Sequence, residues 1–134
     1  MVQDATYGRL EKRMKNGFVK VASAIPKVKV ADCRYNIVEI NRLIQEAATS
    51  DVQIIVFPEL SITGYSCGDL FFQQVLQEDA LLGMLEIAER TAHLDIISIV
   101  GLPIVIGQQL LNVGAVIQQG HILGLVPKSY LPNY

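Results

Sequence analysis

A chain of 134 residues, 51 % apolar and 18 % charged, is one domain or a piece of one, and it has too much apolar surface to bury for disorder to hold over most of its length. The formal net charge of −2 is uneven: residues 1–34 hold eight Lys and Arg against three acids, while residues 35–134 hold three against ten. The basic stretch has no aromatic interleaving, no apolar run reaches membrane-spanning length, and no apolar leader opens the chain, so neither nucleic acid nor a membrane is an expected partner.

Residues 1–16 are polar and charged and read as an N-terminal extension. Residues 18–25 alternate and then meet Pro26, which predicts a first strand. Asp32 is placed to cap a helix with Ile37, Ile40, Ile44 and Ala48 on one stripe, ending near Ser50. Residues 52–57 form a nearly continuous apolar run, which predicts a strand covered on both faces. A loop follows over residues 58–68. Asp69 is expected to cap a second helix whose buried face carries Leu81, Leu85, Ala88 and Ala92. Residues 96–100 predict a third strand ending at Gly101-Leu102-Pro103. Residues 111–118 and 121–126 predict a hairpin turning at Gln119-Gly120. The order β-α-β-α-β followed by a hairpin implies an α/β fold with parallel pairing at the start and a mixed sheet.

Two ionisable residues stand at strand ends beside prolines. Pro58 holds Phe57 extended and closes the strand, so Glu59 opens the loop at the edge where α/β sheets collect ligands. Phe57, Leu60 and Ile62 surround it in sequence. Such neighbours disfavour a charged carboxyl and predict a raised pKa, suited to a general base. A surface glutamate in a turn is the plain alternative. Lys128 is the sole Lys or Arg after Arg90, and it follows an apolar strand and Pro127. A cation there stabilises an oxyanion or holds a carboxylate, unless it is a solvated strand-end lysine. The two residues are expected to meet at one edge of the sheet, as an ion pair or through one water.

The remaining candidates are weaker. Cys67, in the loop after Glu59, reads as a packed thiol before it reads as a nucleophile. Cys33, in the first turn of the first helix, has a thiol pKa that the helix dipole lowers, but no base near it in sequence. Two cysteines form no disulfide framework, and reduced thiols in a cytoplasmic protein are the expectation. His93 suits a helix end and His121 a solvated turn. The scattered His and Cys have no metal-ligand spacing, and there is no phosphate-binding glycine loop.

Taken together, Phe57-Pro58-Glu59-Leu60 with Thr63-Gly64-Tyr65, and Asn112 with Gly120-His121-Ile122-Leu123-Gly124, Lys128 and Leu131-Pro132, resemble the nitrilase (carbon–nitrogen hydrolase) superfamily. Four further stretches look like its glutamine-amidase branch that serves NAD⁺ synthesis. They are Gly64-Tyr65-Ser66-Cys67-Gly68-Asp69-Leu70, the run from Pro127 to Tyr134, and the opening Gly17-Phe18-Val19-Lys20-Val21-Ala22 with Asp32-Cys33-Arg34-Tyr35-Asn36. The resemblance covers about residues 17–134.

It implies part of an α-β-β-α sandwich and a Glu, Lys and Cys catalytic set, with Glu59 as base, Lys128 at the oxyanion, and Tyr65 and Tyr134 lining a glutamine pocket. The nucleophile of that family lies in a Cys-Glu-Asp segment well downstream of the lysine. Residues 17–134 are therefore expected to be the first half of a glutaminase domain, inactive alone. No cofactor is expected within them. ATP and Mg²⁺ would belong to a synthetase domain elsewhere in the parent enzyme. Implied partners are glutamine, the rest of the amidase domain, the synthetase domain and further copies of the chain in a homo-oligomer. The rival readings are a stand-alone amidase or N-carbamoyl hydrolase, and a non-catalytic assembly module.

Overall fold

The computed structural model describes residues 17–130. The proposed extension over residues 1–16 lies outside them, as do Leu131, Pro132 and Tyr134. The first helix, α1 (Cys33–Thr49), starts where expected: the Asp32 carboxylate accepts from Tyr35 N at 3.0 Å, satisfying an otherwise orphaned amide. Its Ile37, Ile40 and Ile44 are buried.

The second helix, α2 (Gln74–Arg90), departs from expectation. Asp69 lies in a short 3-10 turn, Gly68–Phe72, and the N-cap position is Gln73. The buried face carries Leu76, Ala80, Gly83, Met84, Ile87 and Ala88, whereas Leu81 and Leu85 are exposed. This helix is apolar on two sides, so spacing alone does not choose between them. Gly83 chooses: a Cβ there would collide with Ile37, so the helices pack closely at that point.

The sheet, among the described residues, runs β1 (Val21–Ser23), β2 (Ile54–Val56), β3 (Ile97–Ile106), β4 (Gln109–Gln118) and β5 (His121–Pro127), adjacent in that order. The pairs β1–β2 and β2–β3 are parallel, and the pairs β3–β4 and β4–β5 are antiparallel. Both helices share one core with Ile55, Phe57, Val100, Leu102, Val113, Ala115 and Ile117. Residues of the opposite parity face away from the helices. Val21, Val56 and Val126 on that side are 66 %, 42 % and 63 % exposed, so β2 is covered on one face among the described residues, not on two. The result is one helical layer on one mixed sheet.

Strand β3 does not stop at Gly101-Leu102-Pro103; it continues to Ile106 along β4. Proline is tolerated because its nitrogen points the right way. Gly101, two residues earlier, turns its amide and carbonyl to the 58–62 loop, away from β4. Pro103 has the same parity and is paired with Asn112, whose carbonyl bonds to Lys128 on the far side. No ladder bond is therefore lost. The hairpin at Gln119-Gly120 forms as expected, with both residues at positive φ (48° and 82°), the backbone of a type I′ turn. A second tight turn, Gly107-Gln108, joins β3 to β4, and Gly107 supplies its positive φ of 63°.

The β4–β5 register slips once. Val116 pairs with Gly124 but Ile117 pairs with Ile122, so Leu123 has no residue opposite it. Ile122 and Leu125, three apart, both pack against the core. A regular strand would present residues two apart to one face.

Candidate active site

The loop that carries Glu59 is tied on three sides. Phe57 N donates to Ile99 O at 2.9 Å, the last ladder bond before Pro58. Leu60 takes a positive φ of 53°, and the chain folds back over β3. There Ile62 N donates to Gly101 O at 3.0 Å, and Gly101 N donates to Ser61 Oγ at 3.2 Å. The absence of a side chain at Gly101 permits this approach: a Cβ would lie 2.8 Å from Pro58 O and 3.0 Å from the carbonyl carbon of Glu59. From the helical side, buried Asn36 donates through Nδ2 to Ile62 O (2.9 Å) and Lys29 O (2.8 Å), and its Oδ1 accepts from Lys29 N. Ala31 N donates to Thr63 O at 2.7 Å.

Lys128 arrives from the other direction. Its backbone N donates to Asn112 O at 2.8 Å, which extends the β4–β5 pairing one residue past β5. Asn112 and Lys128 therefore share a row on the face turned away from the helices. Glu59 reaches into that row. Lys128 Nζ lies 2.9 Å from Glu59 Oε1, and Asn112 Nδ2 lies 2.5 Å from the same oxygen. The pair spans 69 residues of sequence and joins two different elements, as expected for a shared site.

The electrostatics overturn one expectation. Glu59 is not pushed up by apolar surroundings. The hydrogen bond from Lys128 holds its carboxyl below the ordinary value; burial opposes this, and the Asn112 hydrogen bond and the Lys128 charge add to the lowering. The side chains of Glu59 and Lys128 are 39 % and 35 % exposed, so the carboxyl is only partly desolvated and its partners outweigh burial.

A concavity of about 260 Å³ opens at this site, lined in part by Phe57, Pro58, Gly101, Asn112, Val126 and Lys128. Tyr65 does not line it; it is 51 % exposed on the loop beyond Gly64. A larger concavity, about 780 Å³, lies at the opposite end of the parallel strands, beside Lys20, Asp51, Gln53 and His93. Size does not make it the site, because the paired carboxylate and ammonium are elsewhere.

The other candidates fall away. Cys67 is buried, and its thiol donates to Thr63 O (3.2 Å) and Gly64 O (3.4 Å), as a packed thiol does. Cys33 is buried too, and burial, helped by Asp79, pushes its thiol up to about 12, against the lowering expected from the helix dipole. His121 is exposed at the start of β5. Among the described residues no cluster of three or more His, Cys, Asp or Glu is arranged to hold a metal, and no helix is long and apolar enough to cross a membrane.

Three residues of the site had no assigned role at the level of sequence: Gly101, Asn36 and Asn112. Asn112 belongs to the motif, but its meeting with Glu59 depends on strand register.

Comparison with known proteins agrees with this geometry. A model of the carbon–nitrogen hydrolase family matches residues 20–133. The glutamine-dependent NAD(+) synthetase of Mycobacterium leprae is 34 % identical over 118 residues, which is 88 % of this chain and 17 % of that protein. The synthetase of the same name from Aquifex aeolicus is 37 % identical over 105 residues, 78 % of this chain and 18 % of that protein. The chain thus spans under a fifth of the length of these relatives.

Among solved structures, a glutamine-dependent NAD(+) synthetase from Cytophaga hutchinsonii superposes with a TM-score of 0.81 at 32 % identity, over 86 % of this chain and 20 % of that one. A Nesterenkonia amidase at 19 % identity (TM-score 0.72, 90 % of this chain, 46 % of that one) shares the fold alone. A family match over nearly the whole chain leads to one conclusion: this chain belongs to the carbon–nitrogen hydrolase family.

Proposed function

We propose that this chain supplies the base and the oxyanion-stabilising cation of a glutaminase site that feeds ammonia to NAD⁺ synthesis. The observation that carries the reading is the 2.9 Å contact between Glu59 and Lys128, made across the 69 residues that separate the two motifs. The names of the relatives above 30 % identity support glutamine as the substrate; the amidases share fold only, and no observation favours them.

In this reading a cysteine thiol attacks the side-chain amide of glutamine. Glu59 takes the thiol proton and passes it to the leaving ammonia. A thioester forms, and Glu59 then takes a proton from the water that releases glutamate. Lys128 stands where it stabilises the charge that develops on the amide oxygen. Neither Cys33 nor Cys67 is that nucleophile in this reading: both are buried, and the Cys67 thiol is bonded to Thr63 O and Gly64 O. The thiol comes from sequence beyond residues 17–134, which make up the first half of the hydrolase domain.

The ammonia amidates nicotinic acid adenine dinucleotide at a synthetase site that uses ATP and Mg²⁺. The relative from Acinetobacter baumannii (26 % identical, TM-score 0.69, 84 % of this chain and 21 % of that one) was solved with adenosine diphosphate, which supports the nucleotide part of the reading. The exposed apolar face of the sheet supports association with the rest of the enzyme and with further copies. The two free thiols fit a cytoplasmic setting. Tyr65 and Tyr134 remain proposed contacts for glutamine.

The test is Glu59→Gln in the full-length product of the gene. Glutamine-driven NAD⁺ formation is expected to disappear while the ammonia-driven reaction persists, because the amide keeps the shape but accepts no proton. Equal loss of both would make Glu59 structural. The 134-residue chain alone is expected to release no glutamate.

A further inference from the structure

Asn112 touches both charged residues at once. Its backbone oxygen accepts from Lys128 N at 2.8 Å. Its side-chain Nδ2 donates to Glu59 Oε1 at 2.5 Å, the same oxygen that Lys128 Nζ reaches at 2.9 Å. A carboxylate is an acceptor only, so the amide must present its nitrogen to it. Among the described residues no donor reaches Oε2.

We propose that Asn112 is the positioning residue of this site: its carbonyl anchors Lys128, its amide pins Oε1 of Glu59, and Oε2 is thereby left as the oxygen that moves the proton. The terminal torsion of a glutamate is broad and two-fold. An ammonium is a point charge on a flexible stem and pairs equally well with either oxygen. One such contact does not fix the plane of the carboxylate. A second donor from a fixed direction does. Asn112 is well suited because its backbone lies inside the β4 ladder, between Pro103 and the Lys128 amide. It is also uncharged, so it does not titrate and holds Oε1 whether or not Glu59 carries a proton. A proton on Oε1 would displace one of two donors, whereas a proton on Oε2 displaces none. The geometry stands by itself; the role in proton transfer rests on the glutaminase reading.

The experiment separates the two. Glu59 carboxyl and Asn112 side-chain amide signals are followed by NMR through an acid titration of the 134-residue chain. In the wild type the Asn112 amide signals are expected to shift with the midpoint of Glu59. In Asn112→Ala the Glu59 midpoint is expected to rise. In Asn112→Asp, which keeps the shape but sets a second carboxylate against Glu59, it rises further. A folded variant of either kind with an unmoved Glu59 midpoint overturns the proposal. If neither variant folds, the wild type decides: Asn112 amide signals that stay flat through the Glu59 midpoint overturn it equally. In the full-length gene product, Asn112→Ala is expected to lower glutamine-driven kcat roughly 10–100-fold with little change in KM, and to move the acid limb of the pH profile upward. An unshifted limb overturns the role in proton transfer. Wild-type enzyme that titrates as described yet hydrolyses no glutamine defeats the glutaminase reading and leaves the positioning intact.

Discussion

Gly101→Ala tests the packing that places Glu59. The added Cβ would lie 2.8 Å from Pro58 O and closer still to Leu60 N, both rigid backbone atoms. Ordinary contact begins near 3.4 Å, so the loop must retreat by about 0.6 Å or more to relieve the overlap. Overpacking of this kind costs about 1–3 kcal/mol. Replacing glycine also restricts the unfolded chain, which returns about 0.4–1 kcal/mol. The cost wins, and a net loss of about 1–2 kcal/mol is expected.

Gly114, directly opposite Gly101 on β4, is the internal control. A Cβ there meets only Ile99 Cγ2, at 3.7 Å, an ordinary contact, so Gly114→Ala is expected to be neutral or slightly stabilising. Urea unfolding of both variants reads the difference directly. A Gly101→Ala chain as stable as Gly114→Ala would show that the loop does not rest on β3 as described.

Two further predictions concern the same region. In Lys128→Met, Glu59 loses the partner that holds its pKa down. A depressed carboxyl pKa stabilises the fold above the unfolded value of about 4.3 and ceases to do so as pH falls through the folded one. The stability gap between wild type and variant should therefore narrow as pH drops below about 4, and a gap that widens on acidification contradicts the pairing. Asn36→Leu keeps bulk but removes the partner of Ile62 O and of Lys29 N, while Lys29 O keeps Asp32 N as its donor. A loss of about 1–3 kcal/mol for each one that stays buried is expected in urea; a neutral substitution would mean that water replaces Asn36 without penalty.

Much of the framework was legible because local chemistry decided it. Asp32 capping α1, the parallel start of the sheet and the Gln119-Gly120 turn each follow from a few adjacent residues. Failures came where a distant partner decided. Which side of α2 faces inward depends on Gly83 meeting Ile37. The passage of β3 through Pro103 depends on which flank of the strand carries its ladder bonds. The pKa of Glu59 follows the same rule: its apolar neighbours in sequence point upward, and the partner that outweighs them, Lys128, lies 69 residues away. Glu59 and Lys128 were found as single residues at strand ends. Asn112, which joins them, needs the alignment of β4 on β5 before it means anything.

That alignment turns on Leu123. Counting forward from the Gln118–His121 pair without a slip would set Lys128 against Leu111, a residue of the helix-facing core. The ammonium would then point into hydrocarbon, on the wrong side of the sheet from Glu59. One unopposed residue shifts the count by half a period and brings Lys128 level with Asn112. The slip takes up one surplus residue. With Leu123 deleted, Gly124 would follow Ile122 and meet Val116 in a regular ladder, and Lys128 would still stand opposite Asn112. With the slip kept, losing a paired residue between Gly120 and Lys128 would instead turn the cation toward the helices. Tolerance of a deletion here depends on position, a restriction that no single side chain reveals.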